Sequence, residues 1–367
     1  MMSMKPMGSN VAPLRHECRP RVACRSAVRW RRSLAVVPLL AALWGGGCGS
    51  TDSSSDGDGS GLSGTPPVDG VPGTAQYVAT AAALSPTAEH LKLTMVEVGQ
   101  GDGFFVTFPD KTAVAIDGGP DRFAAYRDFV TATIKEGTRL QYVLLSHGHS
   151  DHYTGLTTAI DFLPKDCVAR VFDPGYDRPD TPGYVSFKTA AGCRYQTLGK
   201  GMSLGLYPSV HLEVLNVASV PFPMVDGTGI NNTSAVTYLR FGRFAALFTG
   251  DAQTEAERIL VNERAGNLRA NVLKVGHHGS CNATATSLLS AVAPQYALIS
   301  AATPNDFGHP HCQTIGKLKT QGVHWLRADS NGGVTIETDG DKYTVTYARG
   351  SVDDPTCPRN CASPSDF

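Results

Sequence analysis

The stretch Leu144 to Leu156 reads Leu-Leu-Ser-His-Gly-His-Ser-Asp-His-Tyr-Thr-Gly-Leu and crowds His147, His149, Asp151 and His152 into six positions. Imidazole and carboxylate together are the ligand set of zinc and similar borderline metals. In an extended loop, residues two apart point the same way, so His147 and His149 can grip one ion. Asp151 and His152 open the next segment and can turn towards a second ion beside the first. Three histidines and one aspartate in so short a span, in a chain with 11 histidines, are too dense for an ordinary polar loop.

The elements that must hold these side chains are legible from periodicity. The apolar run 142–145 reads as a buried strand and 154–162 as a helix, which leaves the ligands on the loop where the strand ends. Other ligand-type residues fall at similar places, where open α/β sheets put their chemistry. Asp117 closes a strand at 112–116, Asp251 follows one at 244–248, and His277 and His278 follow one at 272–275. His309 and His311 precede a helix at 311–320. A strand at 91–98, a turn carrying Asp102 and a hairpin of 104–108 with 112–116 open the body. Helices at 122–135 and 254–264, another helix after Ser280, and strands at 168–172, 210–217, 235–240, 296–300, 334–338 and 343–347 complete it. The mixture predicts a layered α/β sandwich, a single globular domain with hairpins as well as crossovers.

With 367 residues, 41% of them hydrophobic and 18% charged, the chain can bury a sizeable core. Its net charge of -1 conceals a segregation. Eight basic residues against one acid, Glu17, fall in 1–47, so residues 48–367 carry a net of -8. That body lacks the basic footprint of a nucleic-acid-binding protein, and no stable nucleic-acid partner is expected. Residues 1–47 read as an address: Arg29 to Arg32 are a charged region, Leu34 to Trp44 an apolar stretch too short to span a bilayer, and Gly45-Gly46-Gly47 precede Cys48. Small residues before a cysteine resemble a bacterial lipoprotein signal, with Cys48 as the lipidated residue, although Gly45 stands where such signals prefer a leucine-like side chain. Ordinary secretion with cleavage nearby is the alternative. Residues 48–90, rich in Ser, Gly, Asp and Pro at their start, read as a flexible tether, 91–350 as the globular domain and 351–367 as a C-terminal tail. Membrane contact is expected only through the lipid anchor. Six cysteines remain beyond Cys48, and outside the cytosol they should pair. Position suggests Cys357 with Cys361, Cys281 with Cys312, and Cys167 with Cys193.

The pattern His-x-His-x-Asp-His after a strand resembles the signature of the metallo-β-lactamase superfamily. Val96-Glu-Val-Gly-Gln-Gly-Asp102, Ile116-Asp-Gly-Gly119, Phe248-Thr-Gly-Asp251 and Leu273-Lys-Val-Gly-His-His-Gly-Ser280 narrow the resemblance to the metallo-hydrolase domain of ComEC-type competence proteins. Phe307-Gly-His-Pro-His311 and Arg327-Ala-Asp-Ser-Asn-Gly332 continue it. The match runs from about Leu91 to Tyr347, in the family's order, and implies the αββα metallo-β-lactamase sandwich. A similar paired-histidine motif occurs in phosphorylcholine esterase on the same fold.

Carried over to these positions, the resemblance makes His147 and His149 ligands of one divalent ion and Asp151 and His152 ligands of another, with Asp251 bridging. Zinc is the expected metal and manganese the alternative. One of His277 and His278 completes the second site, His278 being favoured and His277 facing substrate. Asp117 and Asp102 are expected behind the ligands, bracing them, and His311 is a candidate donor to a substrate oxyanion or phosphate. Where many relatives in the superfamily supply another histidine, this chain has Asn231 and Asn232, which leaves the first site poorer in ligands. Asn232 is expected in a supporting place, and both asparagines read equally as a polar turn or as substrate contacts. The implied chemistry is hydrolysis by a metal-bridging hydroxide, on a phosphodiester first and on a lactone, ester or β-lactam as the alternative. A non-catalytic, lipid-anchored binding module is the rival class. A redox role with a flavin partner is disfavoured by the lack of a flavin-binding stretch.

Overall fold

A computed structural model describes residues 77–361, apart from 81–82, 122–123, 166, 176–179 and 217–226. The signal and the lipidation site Cys48 therefore lie outside the described residues. Among those described, the strands form two sheets. The nine-stranded sheet runs β1 (Tyr77–Thr80), β16 (Tyr343–Tyr347), β15 (Val334–Thr338), β2 (Leu91–Met95), β3 (Gly103–Thr107), β4 (Thr112–Gly118), β5 (Arg139–Leu144), β6 (Arg170–Asp173) and β7 (Tyr195–Thr197). The seven-stranded sheet runs β14 (His324–Arg327), β13 (Tyr296–Ile299), β12 (Val272–Lys274), β11 (Phe244–Phe248), β10 (Val236–Phe241), β9 (Val210–Asn216) and β8 (Ser203–Tyr207).

Three apolar clusters give the layers. One joins the inner faces of the two sheets, through residues such as Leu93, Phe104, Val114, Leu239, Phe248 and Leu298. Phe104 and Phe248 meet edge to face across it with centroids 5.5 Å apart, and truncating either buried ring to alanine would cost about 3–5 kcal/mol. A second cluster packs α1 (Ala125–Lys135), α2 (Ser150–Phe162) and α3 (Pro182–Ala191) on the outer face of the larger sheet. The third packs α5 (Thr254–Glu263), α6 (Thr286–Val292) and α7 (Cys312–Thr320) on the smaller one. Helix, sheet, sheet, helix is the αββα order that the resemblance implies.

Within each sheet one half is parallel: β4 to β7 in the larger, β11 to β14 in the smaller. These parallel strands explain why β4, β11 and β12 are buried along their whole length. Their carboxyl ends carry the ligand-type residues. A short helix α4 (Gly227–Asn232) and a four-residue helix α8 (Ala328–Asn331) fill connections.

Several expectations need correction. The tether does not extend to residue 90: Tyr77–Thr80 pairs antiparallel with β16, and the Tyr77 and Tyr347 rings stack at 5.5 Å. A four-residue strand has no periodicity of its own, so only its partner reveals it. The helix expected at 154–162 begins at Ser150, which puts Asp151 and His152 in its first turn. Strands β7, β8 and β14 and helix α3 also went unread, the strands being short and α3 starting at a proline. The C-terminal tail is tied to the body as far as Cys361. The cysteines pair Cys281 with Cys361 and Cys312 with Cys357, not Cys281 with Cys312 and Cys357 with Cys361. The C-terminal segment runs back past β14, where Asp353 accepts from Trp325 N at 2.8 Å and from His324 Nδ1 at 2.7 Å. That path brings each tail cysteine to a body cysteine, a proximity no spacing rule contains. Cys167 and Cys193 are also disulfide-bonded, as the expected pair would be.

Candidate metal centre

The loop from Ser146 to His152 leaves β5 and turns into α2 with extended His149 as its N-cap. Asp117, in the left-handed region at φ 55° at the end of β4, holds that loop from behind. Its Oδ1 accepts from Ser146 N at 2.7 Å, and its Oδ2 accepts from Ser146 Oγ at 2.7 Å and from His152 Nδ1 at 2.9 Å. With Nδ1 committed as donor, His152 presents the lone pair of Nε2 forwards, the arrangement that orients a metal-binding imidazole. His147 is set in the same way, its Nδ1 lying 3.0 Å from Ser146 Oγ. The hydroxyl proton of Ser146 goes to Asp117, so Oγ accepts from His147. One aspartate and one serine thus fix two imidazoles, and Ser146, which reads in sequence as a plain loop residue, is part of the brace.

Asp251 sits one residue beyond Gly250, whose φ is 53°. A Cβ on Gly250 would lie 2.8 Å from both Ser146 Cβ and Ser234 Oγ, so a glycine is required for the turn to pass this close to the histidine loop. The Oδ2 atom of Asp251 lies 3.2 Å from His152 Nε2, 3.3 Å from His278 Nε2, 3.7 Å from His147 Nε2 and 3.9 Å from His277 Nε2. His277 and His278 both take left-handed φ values, 46° and 53°, strain of about 1–3 kcal/mol each that is typical of functional turns. The turn buries His278 and leaves His277 partly exposed.

His278 completes a compact group. Its Nδ1 donates to Ser300 O at 2.9 Å, so in the neutral ring Nε2 carries a lone pair. That lone pair makes no hydrogen bond and faces Asp151 Oδ2 at 3.2 Å as well as Asp251. A lone pair against two carboxylates is repulsive unless a cation or proton lies between them. Donor atoms of Asp151, His152, Asp251 and His278 all fall within 4.8 Å of one another, a spacing that bonds of about 2.0–2.3 Å can span. The residues present therefore fit a divalent ion. On the other side of Asp251, His147 Nε2 lies 3.0 Å from His149 Nδ1, a second set with fewer donors.

The charges agree with this. Burial pushes the Asp251 carboxyl up, but His278, His152 and Lys274 outweigh it and hold it well below the usual carboxylate range. Burial lowers His152 and His278 as well, yet Asp251 with Asp117 in one case and Asp102 in the other raises each well above an ordinary imidazole. Both rings sit in a field that demands positive charge. Burial keeps His147 neutral, aided by His152, with its basicity well below normal.

Lys274 is the centre's main residue missed in sequence. It is fully buried, donating to Gly250 O at 2.6 Å and standing 2.5 Å from Asp102 Oδ2 and 3.4 Å from Asp251 Oδ1. A lysine inside an otherwise apolar strand was the available signal. Asp102 thus sits behind the candidate ligands, between Lys274 and His278, whose Nδ1 is 3.2 Å from its Oδ1. Asn232 Oδ1 accepts from Gln253 N at 3.0 Å and so ties down the segment after Asp251.

Beyond His277, the buried His309 ring lies 5.2 Å from that of His277 and 5.0 Å from that of His311. Gln100 accepts from Ala302 N at 3.2 Å through Oε1 and stands 3.4 Å from His309 Nδ1 through Nε2. Burial, with His277 and His278 adding to it, drives His309 down to about 2. His311 caps α7 and accepts from Cys281 N at 3.1 Å. Its neighbours Cys281 and Cys361 are joined in a disulfide, which removes their thiolates as ligands.

Comparison with known proteins gives relatives for part of the chain. ComE operon protein 3 of Bacillus subtilis (strain 168) is 28% identical over 266 residues, 66% of this chain and 32% of that protein. Competence protein ComA of Neisseria gonorrhoeae is 30% identical over 194 residues, covering 53% and 25%. Recombination protein 2 of Haemophilus influenzae is 27% identical over 215 residues, covering 59% and 24%. The chain is a homologue of these ComEC-type proteins and spans a third or less of their length. Among solved structures, Zn(2+)-bound PqqB from Methylobacterium extorquens is similar at a TM-score of 0.44 and 13% identity, over 67% of this chain and 99% of that one. No family model matches the chain.

Proposed function

We propose that this homologue of ComEC-type proteins is an exported, lipid-anchored metallo-hydrolase with a two-ion centre, acting on a phosphodiester. The observation that carries the reading is the place of Asp251, whose Oδ2 is within 3.2–3.9 Å of the Nε2 atoms of His152, His278, His147 and His277. A carboxylate so surrounded suits sharing between an ion held by His147 and His149 and one held by Asp151, His152 and His278. When bound, zinc or manganese ions would polarise a phosphoryl oxygen and make hydroxide available near neutral pH. The chain's own residues do the rest. Asp117, Ser146 and Ser300 fix the ligand tautomers, and Lys274 with Asp102 holds Asp251 and His278 in place. His277, which is partly exposed beside Asp251, and His311 are assigned to the negative charge that grows on the substrate.

The phosphodiester is favoured because the paired-histidine stretch Gly276-His277-His278-Gly279 resembles that of phosphorylcholine esterase, and that branch of the fold includes phosphodiester chemistry. Turnover rather than a stable complex is expected, since residues 48–367 carry a net of -8. Disulfides at Cys281, Cys312, Cys357 and Cys361 support an oxidising compartment, and lipidation at Cys48 would be the only membrane contact. No described helix is long and apolar enough to cross a membrane.

The test is elemental analysis of the purified chain beside hydrolysis of bis-p-nitrophenyl phosphate, with Asp151→Ala as control. Two ions per chain with turnover lost in the variant supports the reading. Metal without diester turnover refutes the substrate and turns attention to lactones, esters and then a binding role. A metal-free protein refutes the centre itself.

A further inference from the structure

Phe307 combines a large apolar ring left in water with a backbone held from both sides. It is 57% exposed, and a single exposed ring on a loose loop would need no explanation. This loop is closed on itself by Asn305, whose Nδ2 donates to Ala302 O and His309 O at 2.6 Å each and whose Oδ1 accepts from His309 N at 3.0 Å. From the other side Arg359 donates to Phe307 O, through Nε at 3.1 Å and Nη2 at 2.6 Å. Gly308, at φ 73°, lets that guanidinium lie against the backbone, since a Cβ there would stand 2.4 Å from Arg359 Nε. Arg359 is itself fixed: its carbonyl accepts from Cys312 N at 3.1 Å, and the disulfides of Cys357 with Cys312 and of Cys361 with Cys281 flank it. The Phe307 ring lies within 23° of parallel to that of His309, with centroids 5.6 Å apart. His309 in turn abuts His277, whose Nε2 is 3.9 Å from Asp251 Oδ2.

We infer that Phe307 is a substrate-contacting ring that receives a flat aromatic group on the non-leaving arm of the diester, and that Arg359, from the C-terminal tail, positions it. This rests on the diesterase reading above. Aromatic rings gain from offset stacking beyond the area they bury, and a ring whose loop is already ordered loses little more freedom on binding. The ring contacts run from Phe307 through His309 to His277, so the aromatic group is carried on a spacer of several atoms rather than bonded directly to a phosphoryl oxygen.

The test uses the full chain loaded with Zn2+ and a pair of p-nitrophenyl phosphodiesters that share the leaving group, one with a butyl and one with a phenylbutyl second arm. The quantity read is the ratio of kcat/KM for the phenylbutyl ester to that for the butyl ester, in wild type, Phe307→Ala, Phe307→Trp and Arg359→Ala. Thermal unfolding and bound metal are measured beside it. Wild type should prefer the phenylbutyl arm, and Phe307→Ala should cut that preference about tenfold. Phe307→Trp should keep it, and Arg359→Ala should lower it through KM rather than kcat. A general loss of fold or metal lowers turnover of both esters together and leaves the ratio alone. A wild-type ratio near one, or a ratio unchanged in Phe307→Ala, overturns the inference while the diesterase reading stands. A ratio unchanged in Arg359→Ala overturns the positioning role. Wild type hydrolysing neither ester overturns the diesterase reading as well.

Discussion

Glu257 offers a test of how far burial, rather than hydrogen bonding, governs the scaffold behind the metal centre. It lies on α5, fully buried, and its two carboxyl oxygens accept from Thr284 N at 2.6 Å and Ala285 N at 2.8 Å. Thr284 Oγ1 in turn accepts from Gly276 N at 2.9 Å, so Glu257 supports the turn that carries His277 and His278. Burial pushes its carboxyl from 4.5 up to about 7, against the two backbone donors and Lys317, which pull it down. Between those values the folded protein keeps a proton that the unfolded chain has lost. Stability from this group is therefore complete below pH 4.5, falls as pH rises and is lost above about 7. At about 1.4 kcal/mol per pH unit the interval is worth about 3 kcal/mol. Glu257→Gln removes the titration. It also sets an amide NH2 against one of the two backbone donors, at a pH-independent cost of about 1–3 kcal/mol. The variant should be the less stable protein at pH 4.5 and match or exceed wild type at pH 8. Urea unfolding of both proteins across that range measures it, and protonation of the metal ligands is common to both and cancels in the difference. A stability difference that stays constant from pH 4.5 to 8 would refute the reasoning. Glu257 would then be an ordinary carboxylate held ionised by its two donors.

Other expectations follow from the centre. Asp117→Ala removes acceptors for Ser146 and His152 together and should weaken metal binding about 10–100-fold, read by competition with a chromophoric chelator. Gly250→Ala places a methyl 2.8 Å from Ser146 Cβ and Ser234 Oγ at a φ of 53°, and should destabilise by about 1–3 kcal/mol in urea unfolding. Lys274→Met leaves Asp102 and Asp251 buried without their cation, at about 3–5 kcal/mol in the stripped protein. Added Zn2+ should recover much of that loss. Because His152 and His278 are raised well above the ordinary imidazole, zinc binding near neutral pH must expel protons and tighten as pH rises. Calorimetry in buffers of different ionisation heat counts them, and zero release would contradict the charge assignment.

Much of this was written in the chain itself. His147, His149, Asp151 and His152 are adjacent in sequence, and a strand ending before them suffices to present them together. That Asp117, Asp251 and His278 gather beside that loop was legible from their places at strand ends, since buried parallel strands announce themselves as apolar runs. What tertiary structure decided was everything that depends on two distant segments meeting. Lys274 looks like a surface residue until β12 is flanked by β11 and β13, when burial forces it onto Asp102 and Asp251. The strand Tyr77–Thr80 exists only through its pairing with β16, and the tail cysteines found Cys281 and Cys312 because the C-terminal segment doubles back past β14. Neighbouring residues share a local geometry that a pattern can encode. A buried charge, an edge strand or a disulfide takes its partner from the packing, and that partner can lie anywhere in the chain.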